Sequence, residues 1–310
     1  MFEGRFLKKG VPVLNTMDKK LLGVKINYIG IDQAVETVES WLKKRGKHFV
    51  VTPNPEMLID ASLDKEFLMA LNSAELSIPD SSRLGWGSYI KDIANPFLRL
   101  ILTPSFIYPK ILPRFSFPTT TGVDLMERLL SLSNEKALTT AYLGGSKKVA
   151  NKLFKCLRIK YPKLKIVFCS GNIRINQDGD IQFDTQNNKL IRSKDINIEL
   201  RSMNNELRHQ KGRADSFNMH VMTQKIDIMF VAFGHKKQEK WMYKNLRKLN
   251  TRVMIGVGGA FDYLSGEVPR APEFMRNFGL EWLFRLIIQP WRIKRFWKLF
   301  YFIFKVVIGN

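Results

Sequence analysis

The chain has 310 residues, 45% hydrophobic and 25% charged, an ordinary globular balance that allows one sizeable core or two modest ones. Fifty Lys and Arg against 28 Asp and Glu leave a formal charge of +22 and a pI near 10.0, so an anionic partner is expected: nucleic acid, anionic lipid or a phosphorylated substrate. Cys156 and Cys169 form no CxxC pair, so neither a disulfide framework nor a zinc site is indicated, and a reducing cytoplasmic setting is the default.

In chain order, residues 1–21 read as a basic extension without the uninterrupted apolar core of a secretory signal. No window reaches the 18 to 20 uncharged apolar residues of a membrane span (about 20 are needed), so export and spanning are not expected. Residues 22–280 read as an α/β domain. Short β-branched and aromatic runs recur at His48–Thr52, Thr139–Leu143, Leu164–Phe168, Asp227–Phe233 and Arg252–Val257, with helical patterns after several of them. That alternation predicts a Rossmann-like, mainly parallel sheet flanked by helices. Asn54-Pro55 reads as an N-cap with proline at N1, and Ile59, Leu63, Phe67 and Leu71 at fourfold spacing predict one helix over Glu56–Ser73.

Two insertions interrupt the domain. Residues 95–118 hold five prolines, many large apolar side chains and only basic charges; they cannot form one helix, and read either as a lid or lipid-facing hairpin or as a buried irregular crossover. Residues 172–223 are polar and poor in packing positions, which predicts an excursion from the core. Its Asp178-Gly179-Asp180 invites a metal-binding DxD reading, but Asn-Gln-Asp-Gly-Asp is good turn chemistry and the turn is favoured.

Five segments carry the candidate chemistry. Thr52-Pro53-Asn54, Gly144-Gly145-Ser146, Gly234 through Gln238-Glu239, and Gly256-Val257-Gly258-Gly259 with Asp262 fall where parallel strands deliver residues to their C-terminal edge, the usual ligand crevice of open α/β folds. Ile78-Pro79-Asp80 could point a carboxylate into the same space. Gly144-Gly145 would let a backbone approach a phosphate, although glycine also ends strands for steric reasons alone. GVGGAF is not a dinucleotide fingerprint, because Phe261 stands where the third glycine belongs and no P-loop Lys-Ser/Thr follows.

In TPNPEML at Thr52–Leu58, IPD at Ile78–Asp80, GVDLM at Gly122–Met126, YLGGS at Tyr142–Ser146, GHKKQE at Gly234–Glu239, GVGGAFDYLSG at Gly256–Gly266 and the run RAPEF…GLEWLFRL ending at Leu286, the chain resembles the WecG/TagA/CpsF glycosyltransferase family. The resemblance implies inverting, metal-independent transfer of an N-acetylmannosamine-type sugar, or its uronic acid, from a UDP donor to an undecaprenyl-diphosphate-linked sugar. The setting it implies is the cytoplasmic face of the membrane, in teichoic acid and related envelope polysaccharide synthesis, with no cofactor. It implies Asp80 as the general base, Thr52, Asn54 and Gln238 as pocket residues, and the Gly258-Gly259 motif with Asp262 around the nucleotide sugar. Arg285, Arg292 and Arg295 match basic residues that grip the departing diphosphate, with lipid headgroup binding as their alternative. Glu239 is expected to be a solvated residue at a helix start.

Five places depart from the family pattern. Asp80 is followed by Ser81 where glycine is usual, Lys236 replaces a proline, and Thr119 stands where an arginine is common, with Arg114 the nearest substitute; both insertions are also long. A catalytically degenerate member that keeps nucleotide-sugar binding is therefore a second reading. A basic nucleic-acid-binding protein is a third, although no recognisable motif supports it.

Residues 281–310 read as a C-terminal appendage. Nothing acidic follows Glu281, while six basic residues alternate with Trp282, Trp291, Trp297 and a cluster of Phe and Tyr. Such a segment suits an anionic membrane surface, where aromatic rings and snorkelling Lys and Arg sit at the headgroup boundary. The alternative is packing on the main domain or on a second copy in a homo-oligomer.

Overall fold

A computed structural model describes residues 17–115, 117–170, 174–182, 191–192, 225–278 and 280–309. Most of the basic extension and most of the polar insertion lie outside these residues. Every strand expected from the apolar runs is present. In chain order the strands are β1 (Met17–Leu21), β2 (Val24–Tyr28), β3 (His48–Val51), β4 (Leu76–Ser77), β5 (Thr139–Gly144), β6 (Lys165–Ser170), β7 (Arg174–Ile175), β8 (Ile181–Gln182), β9 (Ile191–Arg192), β10 (Ile226–Ala232) and β11 (Thr251–Gly256).

Seven of them form one sheet in the order β4-β3-β11-β10-β5-β6-β9. The first six run parallel, with Val50 opposite Leu76, Ile255 opposite Val50, and Phe230 opposite both Ile255 and Tyr142; β9 closes the edge antiparallel to β6. Alternate residues of each strand feed opposite cores, as the pleat requires. Phe49, Val51, Ala141, Leu143, Met229, Val231 and Met254 enter one, and Val50, Tyr142, Ile228, Phe230, Val253 and Ile255 enter the other. Burial on both faces is why these strands read as unbroken apolar runs rather than alternating ones.

One core is closed by α1 (Ile31–Lys43), α6 (Gly122–Glu135), α7 (Lys147–Lys160) and the short α9 (Ala260–Leu264). The other is closed by α2 (Pro55–Leu63), α3 (Lys65–Asn72), α4 (Ser82–Lys91), α8 (Lys237–Asn245) and α12 (Phe296–Val307). Among the described residues the remaining α-helices are α5 (Pro96–Ile101), α10 (Glu273–Asn277) and α11 (Glu281–Ile288).

The single helix expected over Glu56–Ser73 is two. Asp64 leaves helical geometry at φ −133° and its side chain accepts from the N–H of Phe67 at 3.0 Å, which starts α3. The fourfold spacing fails at that point: Ile59, Phe67 and Leu71 are buried, whereas Leu63, in the last turn before the break, is 76% exposed. Residues 17–21, read as part of the extension, instead form β1, paired with β2 through a tight turn at Leu22-Gly23. Asp178-Gly179-Asp180 forms the turn between β7 and β8, with the Asn176 side chain accepting from the N–H groups of Asp178 and Asp180 at 3.0 and 2.8 Å.

The proline-rich insertion is partly buried. After α5 it runs through 3-10 turns at Thr103–Phe106 and Pro109–Ile111, burying Phe106 and Leu112 while Phe97, Leu100, Ile101, Ile107 and Ile111 stay exposed. The C-terminal appendage is likewise two-sided: α12 buries Phe302, Val306 and Val307 in the core and exposes Trp297, Phe300 and Phe304.

Candidate active site

β3, β11, β10 and β5 are consecutive neighbours and parallel, so the residues following them emerge together at one sheet edge. There a cleft of about 660 Å³ is lined by Thr52 and Asn54 after β3, Gly258, Gly259 and Asp262 after β11, Gln238 after β10 and Gly145 after β5. The loop after β4 adds Asp80, and the appendage adds Arg285 and Arg295. Gly144 is not in the lining. A Cβ there would stand 2.3 Å from the Ala232 carbonyl oxygen, and its φ is 117°, so its glycine is required by strand packing, and only Gly145 faces the cleft. The Arg292 side chain lies outside the described residues.

Local structure explains several of these positions. Asn54 lines the cleft, and its Oδ1 accepts from the Met57 N–H at 3.1 Å, making the expected cap of α2. The Thr52 hydroxyl donates to the Gly256 carbonyl at 3.1 Å, tying the ends of β3 and β11. At Gly122 a Cβ would come within 3.2 Å of the Val257 carbonyl oxygen and 3.3 Å of Thr52 Oγ1, a tight fit that a glycine avoids.

Asp80 is the chemical focus. Its Oδ1 accepts from the Gly122 N–H at 2.9 Å, at the start of α6. The side chain is half-buried, facing the cleft with protein on its other sides. Burial pushes its pKa up from 3.8 to about 7; the Gly122 N–H and Arg285 oppose the rise, while Glu281 and Asp124 add to it. Such a group is poised to exchange a proton near neutral pH.

Glu239, expected to be solvated, is fully buried. Its Oε1 accepts from the Gln238 amide at 2.7 Å, and burial pushes its pKa up from 4.5 to about 7. Gln238 Oε1 and Glu239 Oε2 have no protein partner. The pair is therefore buried together, with Glu239 holding the Gln238 amide in the cleft wall.

Also in the lining, Arg285 stacks over Tyr263 at 4.7 Å and pairs with Glu281 at 3.1 Å, and Arg295 reaches Glu56 at 3.4 Å. Arg83, absent from the sequence expectations, is a buried guanidinium between the rings of Phe106 and Trp282, at 5.3 and 5.2 Å. Burial lowers its pKa from 12.5 to about 10, leaving it charged. One local signal marks it: a basic residue in the first turn of α4 opposes the helix dipole and needs another reason to be there. His235 also lines the cleft, its Nε2 2.9 Å from Asp60, which Lys298 of α12 contacts at 2.7 Å.

The family model described as Glycosyl transferase WecG/TagA/CpsF matches residues 19–107 and 106–309. The chain belongs to the WecG/TagA/CpsF glycosyltransferase family. It is 27% identical over 246 residues to the N-acetylglucosaminyldiphosphoundecaprenol N-acetyl-beta-D-mannosaminyltransferase of Bacillus subtilis strain 168, covering 79% of this chain and 73% of that one. It is 22% identical over 294 residues to the protein of the same name from Staphylococcus aureus strain MRSA252, covering 94% and 93%. Membership makes the protein a glycosyltransferase, and the structure shows the surroundings of Ser81, Lys236 and Thr119, where the chain departs from the WecG/TagA/CpsF pattern.

Ser81 sits at φ −149°, ψ 138°, extended backbone that needs no glycine, and its hydroxyl caps α4 by accepting from the Arg83 N–H at 3.2 Å. Lys236 adopts φ 71°, which a proline ring forbids, and its ammonium pairs with Asp64 at 2.9 Å. Thr119 lines the cleft but carries no charge. Arg114 is exposed and outside the lining, so it does not take the place of the missing arginine. Guanidinium groups in the lining come instead from Arg83, Arg276, Arg285 and Arg295.

Proposed function

We propose that this WecG/TagA/CpsF glycosyltransferase moves an N-acetylmannosamine-type sugar, as the N-acetylhexosamine or its uronic acid, from a UDP donor to an undecaprenyl-diphosphate-linked sugar. The setting proposed is the inner face of the cell membrane, in envelope polysaccharide or teichoic acid synthesis. The observation that carries this reading is the Asp80 carboxylate with a pKa near 7, sharing the strand-edge cleft with guanidinium groups in a chain whose relatives are named for that transfer.

The Gly122 N–H holds Oδ1, so Oδ2 is the oxygen left to take a proton. The acceptor hydroxyl attacks the anomeric carbon as Asp80 removes its proton; the bond from that carbon to the UDP oxygen breaks on the opposite side, inverting the centre. Arg285, Arg295 and Arg83 stabilise the negative charge that develops on the departing diphosphate. With cationic side chains in that role, no metal is required. Gln238, Gly258, Gly259 and Asp262 hold the donor, Gly145, whose N–H is given to the Ala232 carbonyl at 3.2 Å, lets the donor approach a Cα without a side chain, and Asn54 and Thr52 shape the acceptor side.

The test is transfer from a panel of UDP-N-acetylhexosamine donors and their uronic acids to a polyprenyl-diphosphate-GlcNAc acceptor, with EDTA present, for wild type and Asp80→Asn. Mass spectrometry of the lipid should show one added sugar with wild type alone, while Asp80→Asn still binds UDP. Full turnover in Asp80→Asn would remove the base from the mechanism, and UDP binding without product in wild type would favour a degenerate enzyme.

A further inference from the structure

Most large hydrophobic residues exposed among those described fall in two stretches far apart in sequence, 97–111 and 274–308. α5 buries none of its residues, although Phe97, Leu98, Leu100 and Ile101 would ordinarily seek a core. In α12, Trp297, Phe300, Tyr301, Phe304 and Ile308 recur every three or four positions on the face opposite buried Phe302 and Val306.

The two stretches adjoin. Phe106 and Phe302 are 6.4 Å apart between ring centroids, and Tyr108 and Phe278, both exposed, are 5.8 Å apart. No acidic residue lies between Asp92 and Asp124 or after Glu281, whereas Arg99, Lys110, Arg114, Lys298 and Lys305 do. On this side the cleft is lined by Trp282, Leu286, Phe296 and Leu299, so the apolar surface continues into its mouth.

We infer that the proline-rich insertion, residues 96–112, is a second lipid-contacting element, and that with the outer face of α12 it forms one docking surface for an anionic bilayer. The inference deepens the function proposed above and rests on its lipid-linked acceptor. Apolar side chains with only basic charges among them match an anionic leaflet, into whose headgroup boundary such a face inserts. The acceptor named for the relatives is a diphosphoundecaprenol, whose polyprenyl chain is itself apolar. Docking by two elements beside the cleft mouth brings that mouth to the leaflet from which such an acceptor would enter.

The experiment is cosedimentation of the full chain with phosphatidylcholine vesicles, with and without phosphatidylglycerol, alongside transfer to a water-soluble short-prenyl acceptor. The triple variant Leu100→Ser, Ile101→Ser, Ile111→Ser should bind anionic vesicles at least tenfold more weakly and keep wild-type transfer to the short acceptor. Lys110→Glu with Arg114→Glu, which leaves the apolar contacts in place, should weaken binding to anionic vesicles and leave binding to neutral ones unchanged. Wild-type vesicle affinity in both variants overturns the inference, as does a triple variant that turns a dimer into a monomer without changing vesicle affinity. Absence of short-acceptor transfer in wild type that still sediments with vesicles would instead count against the proposed reaction, leaving the docking surface in place.

Discussion

A carboxylate pressed into a cleft wall carries its own pH signature. Asp80 must be ionised to accept a proton, so kcat/KM measured from pH 5 to 9 should rise through about 7 and level off above it. The stability consequence runs the other way. Its folded pKa lies above the unfolded value of 3.8, so the unfolded chain gives up this proton first and stability falls as pH rises from about 4 to 7. Asp80→Asn should therefore raise the melting temperature at pH 8 relative to wild type while abolishing transfer; a lowered midpoint would mean the charge is better accommodated than its burial indicates. Glu239 makes a different contribution, by holding the Gln238 amide. Glu239→Ala removes a hydrogen bond of roughly 1–2 kcal/mol, so donor KM should rise about tenfold, with turnover at saturating donor nearly unchanged.

At the level of elements, the cleft depends on how strands end and helices begin. Gly144→Ala places a Cβ against the Ala232 carbonyl at a positive φ and should cost about 3 kcal/mol or more, at the upper end of the range for strained backbone. Urea denaturation measures it, and a loss under 1 kcal/mol would show that β5 and β10 can slide apart. Asp64→Ala removes the cap of α3 and the ion pair to Lys236. A loss of about 1–2 kcal/mol is expected, accompanied by weaker donor binding because the turn before Gln238 loses its tie. Ser81→Gly should change stability by only a few tenths of a kcal/mol and leave transfer intact, since the backbone at Ser81 is already extended.

Across the whole molecule, nine of the fifty basic residues lie in the apolar stretches 93–123 and 282–310, which carry no acidic residue, and guanidinium groups and carboxylates both line the cleft. Raising salt from 0.1 to 0.5 M should weaken vesicle binding, because exposed charges are screened beyond about 10 Å at 0.1 M, and should leave transfer to a soluble acceptor largely unaffected. Equal salt sensitivity of both would place the relevant charges in the cleft. No helix among the described residues is long and apolar enough to cross a membrane, which agrees with the apolar windows read from the sequence.

The sequence by itself determined the α/β class, the strand positions, the Asn54 cap and the turn at Asp178-Gly179-Asp180, because apolar runs, cap residues and turn residues act through neighbours a few positions away. It also marked Asp80, Gln238, Asp262 and the glycine motifs, since parallel strands carry the residues after them to one edge. Only the tertiary structure decided that β3, β11, β10 and β5 lie side by side, and hence that Thr52, Gly145, Gln238 and Gly259 share a cleft. It alone buried Glu239, set Arg83 between Phe106 and Trp282, broke the helix at Asp64 and gave α12 two apolar faces. Burial and long-range proximity are properties of packing between segments far apart in the chain: Phe106 and Phe302 meet in space but share no local pattern.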